Sequence, residues 1–85
     1  MHEATLVRGL LRQVLDLAQT QKSSGVRRVV VRIGALGHGS PSHLQWHFTR
    51  EAQATLAESA ALEVIETDEL VDLVLDSVEL ELAEK

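Results

Sequence analysis

The fold is decided by one segment, which reads Val26-Arg27-Arg28-Val29-Val30-Val31-Arg32-Ile33. Successive side chains of a strand point to opposite faces, so Val29, Val31 and Ile33 share one apolar face. The opposite face carries two arginines. The segment therefore predicts a β-strand that buries one face.

An amphipathic helix is predicted before this strand, over residues 4–21. Its apolar side chains recur at spacings of three and four, as on one helix face. They are Leu6, Leu10, Val14, Leu17 and Ala18, and Val7, Leu11 and Leu15 widen this stripe. Glycine costs about 1 kcal/mol relative to alanine inside a helix, so we expect another element to pack closely against Gly9. Ser23-Ser24-Gly25 is expected to form the turn that follows the helix.

A second helix is predicted after the strand, over residues 41–58. Ser40 suits the N-cap, and Pro41 suits the first helical position. Apolar side chains then recur every four residues, at Leu44, Phe48, Ala52 and Leu56. Trp46 lies off this line and is expected at its edge.

Two further strands are predicted in the remaining chain. Residues 61–67 form the first, with Leu62 and Val64 on one face. In the last segment apolar side chains alternate with polar ones, and the apolar positions change from odd to even residue numbers at Asp76-Ser77. This change favours a long strand with a bulge over the alternative, a short helix at 69–75 followed by a strand.

The element order is therefore helix, strand, helix, strand, strand. The unit at residues 26–67 predicts a right-handed parallel crossover, and the final strand is expected to return as an antiparallel hairpin partner. We predict one α+β domain over residues 1–85, with two layers and a three-stranded mixed sheet carrying both helices on one face.

Charge is divided unevenly along the 85 residues. Residues 1–50 contain seven Lys or Arg and two Asp or Glu. Residues 51–85 contain one Lys or Arg and eleven Asp or Glu. We interpret these as two halves that pack beside each other. If the strands are neighbours, Glu79 and Glu81 would pair with Arg28 and Arg32 across the sheet. The net charge of −5 argues against a nucleic-acid partner.

The chain contains no cysteine, which excludes disulfides, thiolate zinc sites and a thiol nucleophile. No apolar run approaches the ~20 residues of a membrane span, and the N-terminus lacks the basic region of a signal peptide. We expect a cytoplasmic protein without a membrane partner. No nucleophile–base pair stands out, so we do not expect an enzyme.

The N-terminal Met1-His2-Glu3 is a candidate metal site. The α-amine of Met1, the backbone amide of His2 and its ring nitrogen can close fused chelate rings around one ion. The backbone amide of Glu3 can supply a fourth nitrogen. Four nitrogens in a plane suit Ni(II) or Cu(II). A histidine at position 2 is by itself a weak signal.

A second candidate lies on the second predicted helix. His43 and His47 are four residues apart, the spacing of helical zinc sites, and Glu51 is the nearest third ligand. The alternative interpretation is a solvated helix face. His38 is interpreted as an exposed polar residue of the preceding loop.

The glycines of that loop form the pattern Gly34-x-x-Gly37-x-Gly39. A loop between a strand and a helix is the context of a phosphate-binding loop. However, the lysine motif of such loops is absent, so we interpret the pattern as a turn.

Taken in order, the segments resemble the HypA/HybF family of hydrogenase nickel-incorporation proteins. The resemblance rests on Met1-His2-Glu3, on residues 29–36, 40–48 and 55–64, and on residues 75–81. It implies a nickel metallochaperone for maturation of [NiFe] hydrogenase or urease. It also implies a nickel site at Met1-His2-Glu3, with His2 as the essential side chain. The implied partners are a maturation GTPase and the hydrogenase large subunit, and we expect a monomer or weak homodimer.

The chain departs from this family in one region. Members carry a zinc domain with two CxxC pairs between the last two strands, where this chain has only residues 67–72. We therefore expect no structural zinc. The alternative to a nickel carrier is a zinc-less paralogue that acts as an interaction or regulatory module without nickel delivery. Val71, Leu73 and Leu75 either form a new interface or complete the small core.

Overall fold

The computed structural model describes residues 2–37 and 40–82, with side chains from Ala4 onward. Its elements are α1 (His2–Thr20), β1 (Ser23–Ile33), α2 (Pro41–Glu51), β2 (Ala61–Glu66) and β3 (Leu73–Leu82). The sheet order is β2-β1-β3, with β1 parallel to β2 and antiparallel to β3. The predicted α+β fold, with two helices and a three-stranded mixed sheet, is confirmed. No described helix is long and apolar enough to cross a membrane.

The strand β1 decides the fold because it is the central strand of the sheet. Val29, Val31 and Ile33 are buried, and Val31 lies opposite Val64 of β2 and Leu75 of β3. The three strands thus present one continuous apolar face. The final strand returns antiparallel, as predicted, and its partner is the other edge of β1, whose remaining backbone groups it satisfies.

The helix α1 covers this face with side chains of the predicted stripe, centred on its Val7 side. Its buried side chains are Val7, Leu10, Leu11, Val14 and Ala18. Leu17 is 41% exposed, because the stripe is centred on the Val7 side. The expected packing against Gly9 is wrong: a Cβ added there would meet no atom within 4 Å.

The turn after α1 lies earlier than predicted. The helix ends at Thr20, and Lys22 has a positive φ of 55°. Residues 23–25 belong to β1 instead, because β3 is long enough to pair with them. The hydroxyls of Ser23 and Ser24 donate to the carbonyl oxygen of Glu81 at 2.8 and 2.9 Å.

The helix α2 is shorter than predicted and ends at Glu51. Ala54 then has a φ of 65°, which turns the chain. Leu56 is 44% exposed, and its carbonyl oxygen accepts from the N–H of Val26 at 2.9 Å. This bond to β1 redirects the backbone, so Leu56 does not extend the apolar line of Phe48.

The predicted bulge in β3 is present. Val30 lies opposite Ser77 and Val31 opposite Leu75, which leaves Asp76 as the extra residue. Leu73 and Leu75 are partly buried against the core. These two side chains therefore complete the core, as one of the two interpretations expected.

Ion pairs join the two oppositely charged halves. Each of the five pairs within the described residues links residues 1–50 to residues 51–85. They are Arg8–Glu51, Arg27–Glu81, Arg28–Glu63, Arg32–Glu69 and Arg32–Asp76. Arg28 lies opposite Glu79 in the pairing of β1 with β3, as expected, but its ion pair is with Glu63 of β2. Arg32 pairs with Glu69, which lies between β2 and β3, and with Asp76 at the bulge instead of with Glu79 or Glu81. Exposed pairs of this kind contribute about 0–1 kcal/mol each.

Candidate metal-binding regions

The start of α1 contains the predicted nickel ligands. Met1 and the side chains of His2 and Glu3 lie outside the described part of the chain. The backbone of α1 begins at His2, and the first four N–H groups of a helix have no acceptor within it. The amide nitrogens of His2 and Glu3 belong to this group, so metal binding there breaks no helical hydrogen bond.

The first turns of α1 lie beside the start of β3. A shallow cleft of about 230 Å³ separates them. It is lined by Thr5, Leu6, Gly9, Leu10, Gln13 and Leu73. Leu73 directly follows the bridge of residues 67–72. The beginning of α1 and this bridge are therefore at the same end of the sheet.

The glycine loop is bound to the bridge through its backbone. The N–H groups of residues 34, 35 and 36 donate to the carbonyl oxygens of residues 72, 69 and 71 at 2.9, 2.8 and 3.1 Å. A Cβ on Gly34 would overlap the carbonyl oxygen of Val71 and lie 2.7 Å from that of Glu69. The amides that an anion would need already have acceptors, which agrees with the interpretation as a turn. His38 and Gly39 lie outside the described residues.

The exposed side of α2 carries a cluster of rings, formed by His43, Trp46 and His47. The ring centres of the two histidines are 4.9 Å apart, with a tilt of 51°. Trp46 stacks on His43 at 6.1 Å and meets His47 edge-on at 5.1 Å. The guanidinium carbon of Arg50 lies 5.0 Å from the Trp46 ring centre.

Local sequence holds this cluster in place. Pro41 begins the helix, and the Ser40 hydroxyl accepts from the N–H of His43 at 3.2 Å, which confirms the predicted N-cap. Leu44 and Phe48 anchor the opposite side of α2 in the core. Because the helix is fixed on that side, the ring cluster faces outward.

The predicted third ligand of the histidine pair has another partner. Glu51 Oε2 lies 3.4 Å from Arg8 Nε. Within the described residues, no group of three or more His, Cys, Asp or Glu side chains is placed to hold a metal. The sequence interpretation also missed the contact of Trp46 with both histidines, although its spacing of three residues from His43 was a usable signal.

Comparison with known proteins identifies related sequences. Residues 1–72 match the profile of the HypA family, described as hydrogenase/urease nickel incorporation, metallochaperone. The hydrogenase maturation factor HypA of Acidithiobacillus ferrooxidans is 40% identical over 65 residues, 76% of this chain and 58% of that protein. HypA of Archaeoglobus fulgidus is 36% identical over 64 residues, which cover 75% of this chain and 58% of that protein. The matched region thus spans less than three fifths of these relatives.

Two solved structures have the same fold. The solution structure of the Ni metallochaperone HypA from Helicobacter pylori has a TM-score of 0.77, with 16% identity, and covers 95% of this chain and 98% of that one. A second HypA solution structure has a TM-score of 0.73 and 18% identity, covering 94% and 96%. At these identities the similarity shows the fold alone.

Proposed function

Because this chain belongs to the HypA family of hydrogenase and urease nickel-incorporation proteins, we propose that it binds Ni(II) at its N-terminus and delivers the ion during maturation of a nickel enzyme. The family match carries this proposal, since it begins at Met1 and includes the whole Met1-His2-Glu3 segment. The similar proteins are hydrogenase maturation factors, so hydrogenase is the recipient we favour. The family description is of a metallochaperone, in agreement with the prediction that the chain is not an enzyme.

The ligands in this proposal are four nitrogens from consecutive residues. They are the α-amine of Met1, the backbone amide and ring nitrogen of His2, and the backbone amide of Glu3. The position of α1 supports this set, because these amides have no helical acceptor. The positive end of the helix dipole also favours the negative charge that amide deprotonation creates.

Delivery by this site requires only ligand exchange. Neighbouring ligands on one short segment can be replaced one at a time by donors of a recipient, without a change of fold. We propose a maturation GTPase and the hydrogenase large subunit as the cytoplasmic partners in this exchange.

We also propose that the protein carries out this nickel delivery without a structural zinc ion. Residues 1–85 contain no cysteine, so they cannot supply the thiolates of a two-CxxC zinc domain. We expect that domain between the last two strands, where this chain has only the bridge of residues 67–72. Its carbonyl oxygens accept hydrogen bonds from the N–H groups of residues 34–36, so the segment after β1 is bound to the segment before β3.

Calorimetric titration with Ni(II) tests the proposal on the untagged protein, with zinc content measured on the same sample. His2→Ala and a variant with one residue added before Met1 should both lose high-affinity nickel binding. His38→Ala removes one histidine elsewhere and is the matched control, so it should bind as wild type does. Unchanged affinity in His2→Ala would overturn the proposal.

A binding assay with the maturation GTPase separates the two functions considered for this family member. Capture of the GTPase by a wild-type protein that binds no nickel would favour an interaction or regulatory module. Nickel binding that depends on His2 would favour the carrier.

A further inference from the structure

We propose a second metal site in this protein, formed by His43 and His47 on the exposed side of α2. The site would bind a first-row divalent cation. Ni(II), Cu(II) and Zn(II) all accept imidazole nitrogen as a ligand. The proposal rests on the geometry of the pair and is independent of the N-terminal site.

The distance between the two rings is that of a chelating pair. An imidazole nitrogen binds a first-row metal at about 2.1 Å, so two rings that are neighbouring ligands of one ion have their centres roughly 4.5–5 Å apart. The ring centres of His43 and His47 are 4.9 Å apart. The separation of the two rings is therefore compatible with both binding one ion.

The surroundings preorganise this pair. Both histidines lie on one helix, which Ser40 caps and which Phe48 anchors in the core. The Trp46 ring is stacked on His43 and meets His47 edge-on, so it occupies space beside both histidine rings. Ligands that are already ordered lose less conformational entropy on binding, which favours metal binding by only two side chains.

The coordination sphere of this site is open. Glu51, the nearest carboxylate along the helix, pairs with Arg8, and the described residues supply no third ligand. Water or a donor from another protein would fill the remaining positions. Such a site exchanges its ion more readily than the N-terminal chelate. In a nickel carrier it would be a weaker holding point, a role that rests on the proposed function.

Trp46 provides a direct readout of this site. It is the only tryptophan in a chain without tyrosine, and its ring centre lies 5.1 Å from that of His47. Paramagnetic Ni(II) or Cu(II) bound to the pair should quench its fluorescence. Diamagnetic Zn(II) should compete and reverse the quenching.

Titrations of the full-length variants test the assignment. Outer-shell partners of metal ligands are worth about 10- to 100-fold in affinity, so loss of a direct ligand in His43→Gln or His47→Gln should weaken quenching by at least about tenfold. The double variant His47→Gln, Thr49→His is the matched control. It keeps the histidine count but moves one ring off the shared face, and it should weaken quenching equally. His2→Ala should quench as wild type does.

A melting curve by circular dichroism checks that each variant folds. Zn(II) should raise the melting temperature of wild type and His2→Ala, but not that of His43→Gln or His47→Gln. Quenching that persists in His43→Gln, or that is lost in His2→Ala, would overturn the separate site. Neither result would alter the calorimetric test of the N-terminus, so the two proposals can fail independently.

Discussion

The N-terminus and the exposed side of α2 are two ways of building a metal site in one small domain. At the N-terminus the proposed ligands come from three consecutive residues, and most are backbone nitrogens. On α2 they are two side chains separated by one helical turn, with ring centres 4.9 Å apart. Covalent connection alone brings the first set together, whereas the second set needs a folded helix. The two sites should therefore respond differently to loss of the fold.

The largest expected difference comes from Phe48→Ala. The Phe48 side chain is 1% exposed, and truncating a buried phenylalanine costs about 3–5 kcal/mol. A domain of this length has roughly 4–13 kcal/mol of stability, so the loss is a large share of the total and the variant should unfold at a much lower temperature than wild type. Trp46 quenching should fall with the helix signal, while N-terminal nickel binding measured by calorimetry should persist.

Leu56→Ala is the control for this variant. Leu56 was predicted on the same apolar line but is 44% exposed. Its truncation should change the free energy of unfolding by no more than about 0.5 kcal/mol, as measured by urea denaturation. A loss comparable to that of Phe48→Ala would contradict the end of α2 described here.

The two sites should also differ in their dependence on pH. The N-terminal chelate must displace about three protons, one from the amine and one from each of two amides, because its ligands bind metal only when deprotonated. Lowering the pH therefore weakens metal binding at this site. If three protons are displaced, the affinity falls by up to about 1,000-fold per pH unit, and each tenfold corresponds to about 1.4 kcal/mol. The α2 pair uses neither an amine nor an amide nitrogen, so its affinity should depend far less on pH.

Calorimetry in buffers of different ionisation enthalpy counts the protons released per metal ion. His43→Gln isolates the N-terminal site for this measurement, and His2→Ala isolates the α2 site. Equal proton release in the two variants would show that the N-terminal site does not use deprotonated amides.

Gly34→Ala should lower the stability of the fold by a smaller amount. Its added Cβ would overlap backbone oxygens of the bridge, and such overpacking costs about 1–3 kcal/mol. The temperature at which Trp46 quenching disappears should fall together with the melting temperature. Nickel affinity at the N-terminus, measured well below that temperature, should not change. A melting temperature equal to that of wild type would show that the loop of residues 34–37 can move away from the bridge of residues 67–72 without a loss of stability.

Gly9→Ala should have the smallest effect, and of opposite sign. An added Cβ meets no atom within 4 Å, so the gain in helix propensity is about 1 kcal/mol. The melting temperature should rise by about 4–8 °C for a domain of this size, and the loss of Trp46 quenching should shift upward with it. A fall in the melting temperature would contradict the open space around Gly9.

Local patterns predicted much of this arrangement. The parity change at Asp76 correctly located the bulge, because side-chain alternation has a period of two and an extra residue shifts it. Ser40 and Pro41 correctly located the start of α2. The N-terminal metal site remains a prediction, supported by the match that begins at Met1.

The errors lie where distant backbone segments meet. The end of α2 depends on the hydrogen bond between Val26 and Leu56, and the pairing of Ser23 depends on the length of β3. Neither contact leaves a local pattern in either partner. The ion-pair partners of Arg32 were missed for the same reason, since the bulge places Asp76 within 3.0 Å of its Nε atom.

The sequence by itself determined the central strand, the N-cap of α2, the periodicity of both helices, the family, and the candidate chelate at Met1-His2-Glu3, because each depends on residues close together in the chain. Only the tertiary structure decided that β3 lies beside β1, that the loop at Gly34 binds the bridge, and that Glu51 is paired with Arg8. These outcomes depend on hydrogen bonding and charge pairing between segments more than 30 residues apart, where many pairings satisfy the same local pattern and the packed backbone selects one.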